Sequence, residues 1–182
     1  SAGTYKGVNG SSPCSVCSEG KYSTGTGEIL ESTCSGCPAY THSPDGSGMV
    51  ANCTCNKGYT GPDGIQCAAC IAGSYKDVNG SAPCSLCGKG KYSTEAAQIS
   101  EFTCSQCPAH TFSNVGSGLL TKCTCNNGYT GPDGAECEAC EAGGFKDVNG
   151  SAACTLCARG RYSDGKGAMS EESGDVGGRC MQ

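Results

Sequence analysis

The chain has 182 residues, of which 19 are Cys, while Leu, Ile, Val and Phe together also number only 19. So few large apolar side chains exclude an oil-drop core, and no run approaches the roughly 20 apolar residues of a membrane-spanning helix, so no membrane span is expected in this chain. A formal charge of −5, with 16% charged residues, argues against the clustered Lys and Arg that a nucleic-acid partner requires.

Cys above roughly 8–10% in a secreted chain marks a disulfide scaffold, and cross-links in this number persist only in an oxidising compartment. An extracellular or cell-surface location is therefore expected. No signal peptide is visible, so the chain begins after cleavage or is an excerpt of something longer.

The sequence repeats with a period of 70 residues, carrying Cys14, Cys17, Cys34, Cys37, Cys53, Cys55, Cys67 and Cys70 onto the eight cysteines from Cys84 to Cys140. A further period reaches Cys154 and Cys157. Cys53–Cys67 and Cys123–Cys137 agree at twelve of fifteen positions, with no insertion or deletion between the copies. The expected organisation is a partial preceding repeat (1–13), repeat 1 (14–83), repeat 2 (84–153) and a partial repeat 3 (154–182) with a divergent C-terminal loop.

In chain order, the first signal is Asn9-Gly10, which recurs as Asn79-Gly80 and Asn149-Gly150 after stretches such as Ser74–Val78. Asn-Gly after alternating residues predicts a tight hairpin, because both central positions accept positive φ. Next, Cys14-x2-Cys17 and Cys34-x2-Cys37 carry a spacing that zinc sites use. Eight cysteines per unit and the poverty in Lys and Arg favour disulfides over metal, and no cofactor is expected. Gly61-Pro62-Asp63-Gly64 and its copy at 131–134 mark a second turn. The one helix-like stretch, Glu95–Gln98, aligns with Gly25–Glu28, which argues against a helix. The predicted fold is small and disulfide-rich, with short β-hairpins, loops and little helix, drawn out as an elongated rod of tandem repeats.

Cys55-Asn-Lys-Gly58-Tyr59-Thr-Gly61 through Cys67 resembles the closing loop of EGF-like and laminin-EGF modules. That resemblance implies Cys55–Cys67 and Cys70–Cys84, repeated as Cys125–Cys137 and Cys140–Cys154, and leaves Cys180 for Cys157. Cys17, Cys34, Cys37 and Cys53 then pair either in order or crossed, as Cys17–Cys37 with Cys34–Cys53; the same choice stands for Cys87, Cys104, Cys107 and Cys123. On this scheme the partner of Cys14 lies just ahead of Ser1, in a longer array, or in another subunit.

The wider pattern Cys84-Ser-Leu-Cys87, Gly90-Lys-Tyr-Ser93, Cys104-Ser-Gln-Cys107-Pro108, Ser113, Gly116, Cys123-Thr-Cys125-Asn-Asn-Gly128-Tyr129 resembles the ephrin-receptor-like cysteine-rich repeat. The likeness extends over the chain apart from roughly 165–182 and is close in style to tumour-necrosis-factor-receptor modules. It implies a spacer, an adhesive surface or a ligand-binding stalk, and carries over no kinase.

Asn9, Asn79, Asn149 and Asn52 stand in N-glycosylation patterns, so covalent glycans are expected partners. The recurrent aromatics Tyr5, Tyr75 and Phe145, Tyr22, Tyr92 and Tyr162, and Tyr59 and Tyr129 are read as miniature cores over disulfides rather than as a ligand-facing ladder. Asp63 and Asp133 lack the acidic companions that a calcium loop needs. His42 aligns with Phe112 and His110 with Tyr40, which marks them as packing or surface residues. No catalytic constellation recurs, and the carboxylate pair Glu171-Glu172 sits in an expected loop, so an enzyme is not predicted. The expected function is structural: a filament, flagellar hair or surface coat built with copies of the same chain. A receptor or adhesion ectodomain that binds a protein ligand is the alternative.

Overall fold

The computed structural model describes residues 1–163, 165–170, 180 and 181. Every strand is two residues long, and the only helical elements among the described residues are 3₁₀ turns at Glu31–Thr33, Val50–Asn52, Glu101–Thr103 and Leu120–Lys122. With turn residues every few positions, no longer element can propagate.

Two compact units are present, one of Ser1–Ser85 with Ala96–Thr103, the other of Leu86–Glu95 with Cys104–Gln182. In the first, antiparallel pairs join Thr4–Tyr5 to Ser15–Val16, Lys21–Tyr22 to Ser35–Gly36, Thr41–His42 to Thr54–Cys55 and Tyr59–Thr60 to Ala68–Ala69. In the second, Lys91–Tyr92 pairs with Ser105–Gln106, Thr111–Phe112 with Thr124–Cys125, Tyr129–Thr130 with Glu138–Ala139 and Gly144–Phe145 with Thr155–Leu156.

The disulfides follow chain order. The first unit holds Cys17–Cys34, Cys37–Cys53, Cys55–Cys67 and Cys70–Cys84. The second holds Cys87–Cys104, Cys107–Cys123, Cys125–Cys137, Cys140–Cys154 and Cys157–Cys180. The four central cysteines of each copy are thus joined in order and not crossed. This explains the zinc-like spacing: the two residues inside each Cys-x2-Cys are a strand, as in Cys34-Ser35-Gly36-Cys37. One flanking cysteine bonds backwards to Cys17 and the other forwards to Cys53.

The interior is sulfur and hydroxyl. Its buried residues are cysteines, glycines such as Gly58 and Gly128, small serines such as Ser43, Ser74 and Ser113, and two lysines, with Phe145 and Ala168 as the other buried apolar residues. Among the described residues no Leu, Ile or Val is buried. Buried serines are satisfied internally: Ser43 Oγ donates to Lys21 O at 2.9 Å and Ser113 Oγ to Lys91 O at 2.8 Å. Each such hydroxyl replaces an apolar contact with a hydrogen bond worth about 1 kcal/mol net, so the covalent links carry the stability.

The recurrent aromatics lie where one hairpin meets the next loop. Tyr5 bridges Glu28, Tyr22 bridges Ser47, Tyr75 bridges Gln98, Tyr92 bridges Ser117 and Phe145 bridges Ala168, all in parallel sense. Phe145 and Ala168 pack with Cys180 and Cys157, so here a ring does cover a disulfide. Glu95–Gln98 forms no helix: Ala97 stands at φ 57°, and its N–H donates to Cys70 O at 2.8 Å. The divergent loop expected in repeat 3 falls partly on 171–179, outside the described residues, as does Glu171-Glu172.

Candidate functional site

The Asn-Gly segments differ from the tight hairpins expected of them. Asn9-Gly10 falls inside the connection between Thr4–Tyr5 and Ser15–Val16, which spans residues 6–14 and is far longer than a two-residue turn. Asn79-Gly80 instead ties back to the preceding hairpin. Asn79 Oδ1 accepts from Lys57 N–H at 3.0 Å, Gly80 N–H donates to Cys55 O at 2.7 Å, and Thr60 Oγ1 donates to Ala82 O at 3.2 Å. The second copy repeats this with Asn149 and Asn127 at 3.0 Å, Gly150 and Cys125 at 2.8 Å, and Thr130 and Ala152 at 3.1 Å. Tertiary partners won over local turn chemistry. The positive φ of the glycine, 120° at Gly80 and 129° at Gly150, serves to aim its peptide at these partners.

Beneath each segment lies a buried lysine. Lys76 and Lys146 are each only 2% exposed. Lys76 Nζ donates to Tyr59 O at 2.7 Å and to Gly80 O; Lys146 Nζ donates to Tyr129 O at 2.6 Å and to Gly150 O. Burial pushes both ammonium pKa values below the ordinary lysine range, and the nearby charges of Asp63 and Asp133 act in the opposite direction. Sequence reasoning missed these two residues, although Lys6, Lys76 and Lys146 recur at the repeat period, each four positions before the glycine. Lys6 is not fully buried, and its Nζ donates to Gly10 O and Ser12 O.

Asn9, Asn79 and Asn149 are exposed. At Asn79 and Asn149 the carbonyl end of the amide is engaged, which leaves Nδ2, the atom that would carry a sugar, outside these bonds. Asn52 is exposed as well; its Oδ1 accepts from Met49 N–H at 3.1 Å, and Cys53 beside it is fully buried.

Two of the recurrent tyrosines are stacked rather than solitary. Tyr40 lies on Tyr59 with ring centroids 4.3 Å apart, and His110 lies on Tyr129 at 4.1 Å. Beside the second stack opens a cleft of about 560 Å³, lined in part by Glu136, Glu138, Glu141 and Lys166. Lys166 pairs with Glu141 at 2.9 Å, which leaves the rim negative. The corresponding first-copy residues are Gln66, Ala68, Ile71 and Ala96, all uncharged. His42 meets Glu19 at 3.0 Å on the surface. Cys14 is exposed and unpaired, whereas its equivalents Cys84 and Cys154 bond to Cys70 and Cys140. Among the described residues no cluster of His, Cys, Asp or Glu has a metal-binding arrangement, and no helix is long and apolar enough to cross a membrane.

Nine consecutive disulfides in tandem hairpin modules define a small cysteine-rich repeat protein. Residues 128–173 match the family described as "Tyrosine-protein kinase ephrin type A/B receptor-like", so this stretch of the chain is similar to an ephrin-receptor-like cysteine-rich repeat. It is 29% identical over 136 residues to "Signal peptide, CUB and EGF-like domain-containing protein 2" of Mus musculus, covering 70% of this chain and 13% of that protein. It is 29% identical over 122 residues to the mouse "Sushi, von Willebrand factor type A, EGF and pentraxin domain-containing protein 1", covering 66% of this chain and 3% of that protein. It is 32% identical over 146 residues to "Major surface-labeled trophozoite antigen 417" of Giardia intestinalis, covering 80% of this chain and 19% of that protein. The chain thus spans less than a fifth of the length of each of these relatives. Together with its disulfides, these likenesses make it an extracellular or cell-surface protein.

Proposed function

We propose that the chain is a structural, non-catalytic element of an extracellular coat or filament, in which stapled modules present glycans and associate with copies of the same chain. The observation that carries this reading is the near-identity of the two copies, with twelve of fifteen residues shared between Cys53–Cys67 and Cys123–Cys137 and no change of spacing. An array under selection for uniform geometry keeps its units alike, whereas a binding surface diversifies them. The likeness to a Giardia protein whose name makes it a surface-labelled antigen supports the surface part of the reading.

Glycans belong to the proposal at Asn9, Asn79 and Asn149, with Asn52 as a further acceptor; each is exposed. Intact mass before and after deglycosylation tests this, and an unchanged mass contradicts it. The seventy-residue repeat is the proposed unit of the array.

The second reading, a receptor or adhesion ectodomain that binds a protein ligand, is favoured by the match of residues 128–173 to the ephrin-receptor-like family. Negative-stain electron microscopy separates the two. Polymerised fibres or ordered sheets support the structural element; dispersed single stalks that capture a soluble protein support the receptor.

A further inference from the structure

We propose that Lys76 and Lys146 are tethered cations that fasten each Asn-Gly segment to the hairpin before it, supplying a covalently held ammonium to a position lined by backbone carbonyls. The surroundings are those of a hard cation. Two backbone carbonyls, of Tyr59 and Gly80, accept from Lys76 Nζ, and the charge of Asp63 acts on it; Tyr129, Gly150 and Asp133 do the same for Lys146. Backbone carbonyl oxygens are among the donors that calcium also takes. Here the cation is covalently supplied, 2% exposed, and reaches oxygen atoms both seventeen residues behind it and four ahead.

The ammonium does not act alone. Around Lys76 its own N–H donates to Gln98 O at 2.9 Å and its carbonyl accepts from Gly58 N–H at 2.9 Å; around Lys146 the matching bonds run to Ala168 O at 2.9 Å and from Gly128 N–H at 2.8 Å. Backbone and side chain of one residue thus bind the hairpin behind and the loop ahead. The charges of Asp63 and Asp133 favour the ammonium, against the burial that lowers its pKa. Lys6 heads the same Val-Asn-Gly-Ser stretch, and its Nζ donates to Gly10 O and Ser12 O within its own segment.

The test uses the full chain with its disulfides intact. Native-state acylation with an acetylating reagent is followed residue by residue by mass spectrometry, with and without EDTA. Exposed Lys57, Lys89 and Lys122 are expected to react freely, and Lys76 and Lys146 roughly a hundredfold more slowly, because their reaction waits on local opening; EDTA changes none of these rates. Lys76 and Lys146 reacting as fast as these exposed lysines, or EDTA releasing them, would overturn the proposal. In parallel, K76M is expected to speed hydrogen exchange at the Gly80 amide by about tenfold, the loss of one charge-assisted hydrogen bond, and to leave Gly150 unchanged. Unchanged exchange at Gly80 contradicts the proposal, and if K76M does not fold the acylation pattern of the native chain decides alone.

Discussion

His110 lies flat on Tyr129, with ring centroids 4.1 Å apart and planes 9° from parallel. One period earlier Tyr40 lies on Tyr59 in the same way, at 4.3 Å and 8°. Both upper residues hold a left-handed backbone, with φ of 60° at His110 and 61° at Tyr40. The geometry survives a change from phenol to imidazole, so the site calls for a flat ring and not for a titrating group. H110Y is therefore expected to stay within about 0.5 kcal/mol of wild type, since it restores the first-copy pair. H110V is expected to lose about 2–3 kcal/mol, from the stack and from a β-branched residue at positive φ. Denaturant unfolding with disulfides intact measures both.

The staples should be equivalent between copies. Cys55–Cys67 and Cys125–Cys137 both close loops with a sequence separation of 12. Replacing either pair by alanines is expected to cost about 3 kcal/mol in the chain-entropy account, with similar values for the two. Limited proteolysis is expected to cut first inside the opened loop, because no buried Leu, Ile or Val holds it shut.

Glycines at positive φ divide by what surrounds them. Gly20 has φ +77° and nothing within 4 Å of an added Cβ, so G20A is expected to cost only the left-handed penalty of about 1–2 kcal/mol. Gly128 has φ +80°, and an added Cβ would stand 2.4 Å from Gly167 O; Gly58 meets Ala97 O at the same distance. G128A and G58A must displace that loop backbone and are expected to cost at least about 3 kcal/mol, or to abolish correct disulfide formation. Unfolding midpoints of the three variants check the order.

The lysines should separate on titration. Burial lowers the pKa of Lys76 and Lys146, while the hydrogen bond that exposed Lys166 donates to Glu141 raises its own. Carbon-13 shifts at Cε are expected to place Lys76 and Lys146 below the other lysines, and Lys166 above them. Between the lowered folded-state value and the ordinary one, the unfolded chain binds more protons than the folded chain. The contribution of these two lysines to stability therefore rises as pH increases through that window.

Much of the fold was legible because it is written in covalent chemistry. The cysteine period and the scarcity of large apolar residues establish a stapled repeat without helices, and Gly61–Gly64 is a turn as its residues suggest. What escaped depends on distant partners. Asn79-Gly80 carries a local hairpin signal, yet its donors and acceptors lie at Cys55 and Lys57, beyond any local window. A lone lysine among polar residues reads as surface; only its recurrence every seventy residues hints that Lys76 is interior. The ring pairs were hidden for the same reason: Tyr40 and Tyr59 are nineteen positions apart and meet because Thr41–His42 and Thr54–Cys55 form one hairpin.

Disulfides taken strictly in chain order, in place of an apolar core, fix each module. Disulfide mapping of the unreduced protein, with fragmentation that cuts between Cys34 and Cys37 and between Cys104 and Cys107, tests it most directly. Linked fragments joining Cys17 to Cys34, Cys37 to Cys53, Cys87 to Cys104 and Cys107 to Cys123 are the expected result. Fragments joining Cys17 to Cys37 and Cys34 to Cys53 would contradict it.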